Sequence, residues 1–119
     1  MRTIRVLAIT AVLGMVGTLA SAATTLSPAD AKNHIGEQAT VCGKVASERT
    51  ATGSRGEPTF INLDAAYPHQ IFTILIWGED RSSVGPLPSD GARVCATGRI
   101  REYRGVPEIV VRRKAQVSR

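Results

Sequence analysis

Three short stretches of this chain alternate apolar and polar residues with a period of two and two more read as strands, and that pattern restricts the fold more than any other feature. Ala39, Val41, Gly43 and Val45 interleave with Thr40, Cys42, Lys44 and Ala46, the pattern of a half-buried strand. Thr59 to Asp64 places Ile61 and Leu63 on one face and Phe60 and Asn62 on the other. Gln70 to Trp77 is apolar on both faces; Phe72, Ile74 and Ile76 are assigned to the core, with Thr73, Leu75 and Trp77 opposite. Arg93 to Tyr103 sets Val94, Ala96, Gly98 and Ile100 against Cys95, Thr97, Arg99 and Arg101, and Val106 to Lys114 forms a fifth strand. Turn signals separate them: polar residues 47–57 with Gly53 and Gly56, Tyr67-Pro68, the Gly- and Pro-rich loop 78–91 with room for a helical turn, and Arg104-Gly105. Five strands so spaced predict a small all-β barrel or sandwich.

The first 22 residues read differently. Arg2 and Arg5 form a basic start, Val6 to Ala20 an apolar run, and Ala20-Ser21-Ala22 an A-x-A cleavage site, which together describe a secretory signal peptide. The apolar run is shorter than the roughly 20 residues a spanning helix needs, and Gly14 and Gly17 interrupt it. Export to the periplasm or medium, without membrane insertion after cleavage, is the expectation. Residues 23–37 form an N-terminal segment in which Ser27-Pro28-Ala29-Asp30 starts a short helix over 28–35, stopped by Gly36. His34 falls in its last turn, where a cation suits the helix dipole. Residues 38–114 are the folded domain and 115–119 a basic tail. A single domain of this size excludes a multidomain enzyme, a channel or a long repeat array.

Cys42 and Cys95 are the only cysteines, and in an exported chain an even count without C-x-x-C spacing points to one structural disulfide. Closing a loop of about 54 residues stabilises by roughly 4 kcal/mol in the chain-entropy description. Two cysteines and two separated histidines, His34 and His69, are too few for a zinc site, and neither a metal nor a cofactor is expected. The bridge has a topological consequence. It requires the first and fourth strands to be neighbours, with Cα atoms within about 7 Å. A plain meander does not place them together; a five-stranded Greek-key barrel, the OB-fold, does.

The stretches VCGKV (41–45), PTFINLD (58–64), FTILIWGEDR (72–81), VCATGRI (94–100) and YRGVPEIVV (103–111) resemble a family of small bacterial OB-fold proteins, themselves similar to nucleic-acid-binding OB domains. The resemblance covers about residues 38–114. PTFINLD also resembles the strand on which the anticodon-binding OB domains of aminoacyl-tRNA synthetases present a stacking Phe. Barrels of this kind hold nucleic acids, sugars or proteins, so the ligand must be argued from the site.

The resemblance implies a binding face on the second and third strands, flanked by the loops between strands one and two and strands four and five. Phe60 and Asn62, with Thr73 beside them, would stack a base and bond its edge. The bland alternative is that Phe60 and Trp77 cover an open side of the barrel. Charge is uneven: residues 93–119 carry eight basic and two acidic groups, and residues 23–92 five and eight. A basic C-terminal hairpin suits a phosphate backbone, although it equally serves solubility. Arg101, Tyr103 and Arg104 on one flank and Arg49 and Arg55 on the other would make both sides of the face cationic. No nucleophile motif, P-loop or HExxH occurs, so no enzyme is expected; Asp64 with Arg101 is the one carboxylate–arginine pair worth locating, and Glu79-Asp80 read as solvated loop residues. The reading is an exported binding module for single-stranded nucleic acid with little sequence preference, with a nuclease or envelope protein as a further candidate partner. The alternative is a periplasmic stress-type OB protein that binds a small ligand or a protein.

Overall fold

The computed structural model describes residues 9–12, 14 and 24–119. Most of the segment read as a signal peptide, residues 1–22, therefore lies outside the described residues. The rest is all-β with one short helix. Among the described residues eight strands form the sheet: β1 (Thr25–Leu26), β2 (Gln38–Thr50), β3 (Thr59–Leu63), β4 (Phe72–Ile76), β5 (Arg93–Arg99), β6 (Arg101–Tyr103), β7 (Val106–Val110) and β8 (Val117–Ser118). Their order is β6-β7-β4-β3-β2-β5-β8, with β1 beside β2. All neighbours are antiparallel except β1–β2 and β4–β7, which are parallel.

The structure corrects the expected five strands to eight, and the reasons are local. The fourth expected strand breaks at Ile100, whose N–H donates to Glu37 O and whose carbonyl accepts from Gly36 N–H. Its first half, β5, pairs with β2 and its second half, β6, with β7. One residue thus links the two arms of the sheet. Between β5 and β7 the described residues form no ladder, so the sheet is not closed by backbone pairing there. The side chain of Gln116 spans that seam, donating from Nε2 to Thr97 O at 3.0 Å and to Val110 O at 3.2 Å. The Ile109 side chain packs closely against β5 there: a Cβ on Gly98 would lie 2.8 Å from Ile109 Cγ2.

Three boundaries also move. The first long strand continues through Thr50, because residues 47–50 pair with 59–62, so the expected loop 47–57 shrinks to 51–58. The fifth strand stops at Val110 rather than Lys114, and residues Lys114–Gln116 form a 3-10 turn. The expected helix over 28–35 is only a 3-10 turn at Ala31–Asn33. The N-cap is Asp30 rather than Ser27 and carries no side-chain cap bond; Ser27 Oγ accepts from Asp30 N–H at 3.2 Å, one turn earlier. A segment that Gly36 ends at φ 90° is too short to sustain α-helical bonding. His34, at the end of this turn, pairs with Glu37. The 78–91 loop contains the expected helical turn, α1 (Arg81–Val84).

The core lies between the sheet's arms and takes the faces the alternation assigned: Val41, Val45, Ile61, Leu63, Phe72, Ile74, Ile76, Val94 and Ile100 are all buried, and Ile109 of the fifth expected strand joins them. Cys42 and Cys95 stand directly opposite each other on β2 and β5 and form a disulfide, with Cα atoms 4.0 Å apart. The first and fourth sequence strands are therefore neighbours, as the bridge required.

Candidate functional site

A one-residue slip in β2 creates the site. Val45 pairs with Leu63, but Ser47 pairs with Asn62, so Ala46 is an extra residue in the ladder. Side chains alternate faces along a strand, and a single inserted residue exchanges them. Before the bulge the odd-numbered residues Ala39, Val41 and Val45 face the core. After it Ser47 and Arg49 face outward, beside Asn62 and Phe60.

Across the outer face runs one row of polar side chains, one per strand. Ser47 stands opposite Asn62, Asn62 opposite Thr73, Thr73 opposite Glu108, and Glu108 opposite Arg101. Asn62 Nδ2 donates to Ser47 Oγ at 3.0 Å, Thr73 Oγ1 donates to Asn62 Oδ1 at 3.3 Å, and Arg101 Nε donates to Glu108 Oε1 at 2.7 Å. Asn62, Thr73 and Glu108 are buried, and such groups remain in place only because they are hydrogen-bonded. A second row, Arg49, Phe60, Leu75 and Val110, runs beside it.

Ser47, Asn62, Thr73 and Glu108 of the first row and Arg49 and Phe60 of the second line a cleft of about 730 Å³. Arg49, Phe60, Asn62, Thr73, Tyr103 and Arg104, six of the eight residues predicted for a binding site, line it. Phe60 is half-buried in the floor, and Tyr103 is 53 % exposed at the rim. Arg104 and Gly105 make the β6–β7 turn, both at positive φ (49° and 80°), as a two-residue primed hairpin requires. That turn sets the Arg104 guanidinium over the Tyr103 ring, 5.3 Å from its centroid.

The other two predicted residues are placed differently. Arg55 is exposed in the 51–58 loop and does not line the cleft. Arg101 lies beside it, but its charge faces the buried Glu108 carboxylate. Trp77 does not line the cleft either: it packs under the 51–58 loop, where a Cβ on Gly56 would come within 3.0 Å of its ring. Asp64 and Arg101 do not meet. Asp64 Oδ1 accepts from Lys44 N–H at 3.0 Å in a separate recess with Asp90.

Ser47, Tyr67, Gln70 and Glu108 also line the cleft and are not among the residues predicted for it. The alternation leaves Ser47 in a loop, because a bulge leaves no trace in it. Glu108 does carry a signal: it sits between Val106 and Val110 on the outward register of its strand. Tyr67 is 67 % exposed, and its N–H donates to Ser47 Oγ at 3.3 Å. Gln70 Oε1 is buried with no hydrogen-bond partner among the described residues. On β2, Glu48 is held above the ordinary carboxylate value of 4.5, chiefly by desolvation and secondarily by the charge of Asp90. Among the described residues no three His, Cys, Asp or Glu side chains gather as a metal site.

No family model matches the chain, and no curated protein matches it. Solved structures do. A chain named as an aspartyl-tRNA synthetase of Leishmania major Friedlin is similar at TM-score 0.54 and 10 % identity, over 87 % of this chain. This protein spans only 22 % of that one's length, and at such identity the likeness concerns fold alone. A chain named as a nucleic-acid-binding lipoprotein of Klebsiella pneumoniae is similar at TM-score 0.47 and 15 % identity, over 70 % of this chain and 74 % of its own. An OBody bound to hen egg-white lysozyme gives TM-score 0.49 and 20 % identity, over 71 % and 87 %.

Proposed function

We propose that the protein is an exported OB-type binding module, without catalysis of its own, that holds single-stranded nucleic acid in the cleft across β3 and β4. The OB reading rests on connectivity. If β5 and β6 count as one bent strand, five main strands remain; the first pairs with the second and fourth, and the third runs parallel to the fifth. Such pairing supports the reading as a five-stranded Greek-key barrel, whose open seam Gln116 would bridge. The Cys42–Cys95 bridge agrees with an oxidising compartment, and the sequence of residues 1–22 with export to it.

The observation that carries the ligand assignment is one surface with Phe60 half-exposed over a hydrogen-bonded polar floor, Tyr67 and Tyr103 at its rims, and Arg49 and Arg104 beside them. Planar rings stack bases, and the guanidinium groups meet phosphates. Stacking and backbone contacts supply most of the affinity in such sites and carry little sequence information. Glu48 and Glu108 lower the positive potential of the cleft, so binding is expected to be weak.

Fluorescence-anisotropy titration with single-stranded DNA, single-stranded RNA and duplex at several salt concentrations tests the proposal. Single strands should bind more tightly than duplex, with affinity falling as salt rises. Equal or stronger binding to duplex would indicate a merely basic surface, and no binding would remove the assignment.

A further inference from the structure

The cleft floor holds hydrogen-bond acceptors that the described residues do not saturate. Glu108 is 3 % exposed, and Arg101 occupies one of its oxygens through a single bond, whereas a carboxylate offers about four acceptor positions. Gln70 Oε1 is buried without a donor among the described residues. The Thr73 hydroxyl gives its one proton to Asn62 and keeps lone pairs. A ligand that brings N–H groups would complete this floor, and one that brings carbonyls would meet an anion.

Tyr103 is positioned to present such a ligand. It stands opposite Val106, and Arg101 stands opposite Glu108, so Tyr103 and Glu108 are diagonal neighbours across the β6–β7 ladder. That spacing is roughly 7–8 Å between backbones, within reach of the edge of a base stacked on the ring. Guanine alone among the common bases offers two adjacent donors, N1–H and the N2 amine, which fit one carboxylate. Thymine and uracil place carbonyls on both sides of their single N–H, against the Glu108 charge.

Resting on the nucleic-acid reading above, we infer that the base beside Tyr103 is selected: guanine is preferred and thymine or uracil disfavoured, through the Glu108 carboxylate. The cleft then combines sequence-tolerant stacking with one discriminating position.

The test uses oligothymidylate of about nine nucleotides, within the site size of one such barrel, against the same strand with one central guanine or one central hypoxanthine. The guanine strand should bind roughly 5- to 150-fold more tightly than oligothymidylate, the range expected for one well-made bidentate base contact. Hypoxanthine, which lacks the N2 amine, should lose much of that gain. Glu108→Gln keeps the size of the side chain and an acceptor for Arg101; it should abolish the preference and strengthen binding to oligothymidylate by removing an anion. Thermal melts of the variant report whether it folds. In wild-type protein, equal affinity for the guanine and thymine strands would overturn the base selection while leaving the binding assignment intact. A preference that survives in a folded Glu108→Gln variant would overturn the role of Glu108, and failure of every strand to bind would remove both readings.

Discussion

Arg101 and Glu108 face each other across the β6–β7 ladder, and the arginine Nε–H donates to the glutamate Oε1 at 2.7 Å. The carboxylate is buried and the guanidinium about half exposed. Removing the arginine would leave a buried charge without its partner, which costs far more than losing an exposed ion pair. Arg101 is therefore first a structural cation. Arg104, on the turn beyond, and Arg49, on the far side of Phe60, line the cleft, and these are the arginines the proposed function assigns to phosphates.

Substitutions should separate stacking from charge. Phe60→Ala is expected to weaken single-strand binding by about 1–3 kcal/mol, roughly 5- to 150-fold, at low and high salt alike, because stacking releases no counterions. Arg104→Ala should instead flatten the log–log salt dependence by about 0.7 for each phosphate the protein no longer neutralises. Arg101→Ala should lower the melting temperature, a change that neither of the others produces to the same degree. Anisotropy titrations in three salt concentrations, with thermal melts alongside, check all three.

The disulfide should dominate stability. Mass spectrometry of the native protein should find Cys42 linked to Cys95, two mass units below the free thiols, and the double variant Cys42→Ala/Cys95→Ala should lose about 2–4 kcal/mol in urea denaturation. Two freely alkylatable cysteines in the native protein would contradict the observed pairing of β2 with β5.

Gln116 closes the seam between β5 and β7 with one side chain, while its own Oε1 accepts from Arg112 N–H at 2.8 Å. Gln116→Ala should leave the Thr97 and Val110 carbonyls short of donors and cost about 1–3 kcal/mol. Hydrogen exchange would locate the effect: amides of β5 and β7 should lose protection, while those of β3 and β4 keep theirs. Unchanged protection would mean that the seam holds without it.

The core was legible because burial writes itself into a period of two. Val94, Ala96, Gly98 and Ile100 all appear where the alternation puts them, and the Cys42–Cys95 pair correctly joined the first and fourth strands. What the sequence hid are features without a period. The extra residue at Ala46 turns Ser47 and Arg49 outward, and nothing in SERT marks it. The break at Ile100 depends on backbone bonds to Gly36 and Glu37, more than sixty residues away in the chain. Phe60, Asn62 and Thr73 could be read as neighbours from their own strands. Glu108 joins them only through the parallel pairing of β4 with β7, a long-range relation that local patterning does not contain.

Glu48 gives the fold a pH signature. Its carboxyl is harder to ionise in the folded protein than at the ordinary 4.5, through desolvation and then the Asp90 charge. The folded state therefore binds this proton more tightly than the unfolded state, and Glu48 lowers stability as pH rises from near 4.5 through its raised value. Because the side chain is exposed, solvent screening keeps the effect small. Glu48→Gln should raise the melting temperature at about pH 7 and lose that advantage at about pH 4. An equal shift at both values would place the effect outside the titration of Glu48.

The central claim is that one cleft holds the strand, and a 1H–15N correlation titration with a short single-stranded oligonucleotide tests it residue by residue. Progressive, saturable shifts are expected for the amides of Ser47, Arg49, Phe60, Asn62, Thr73, Tyr103 and Arg104, which line that cleft. Lys44, Arg93 and Arg99, exposed on the paired strands β2 and β5 away from it, should stay nearly still. Shifts concentrated on those three residues, or none anywhere at saturating oligonucleotide, would contradict the account.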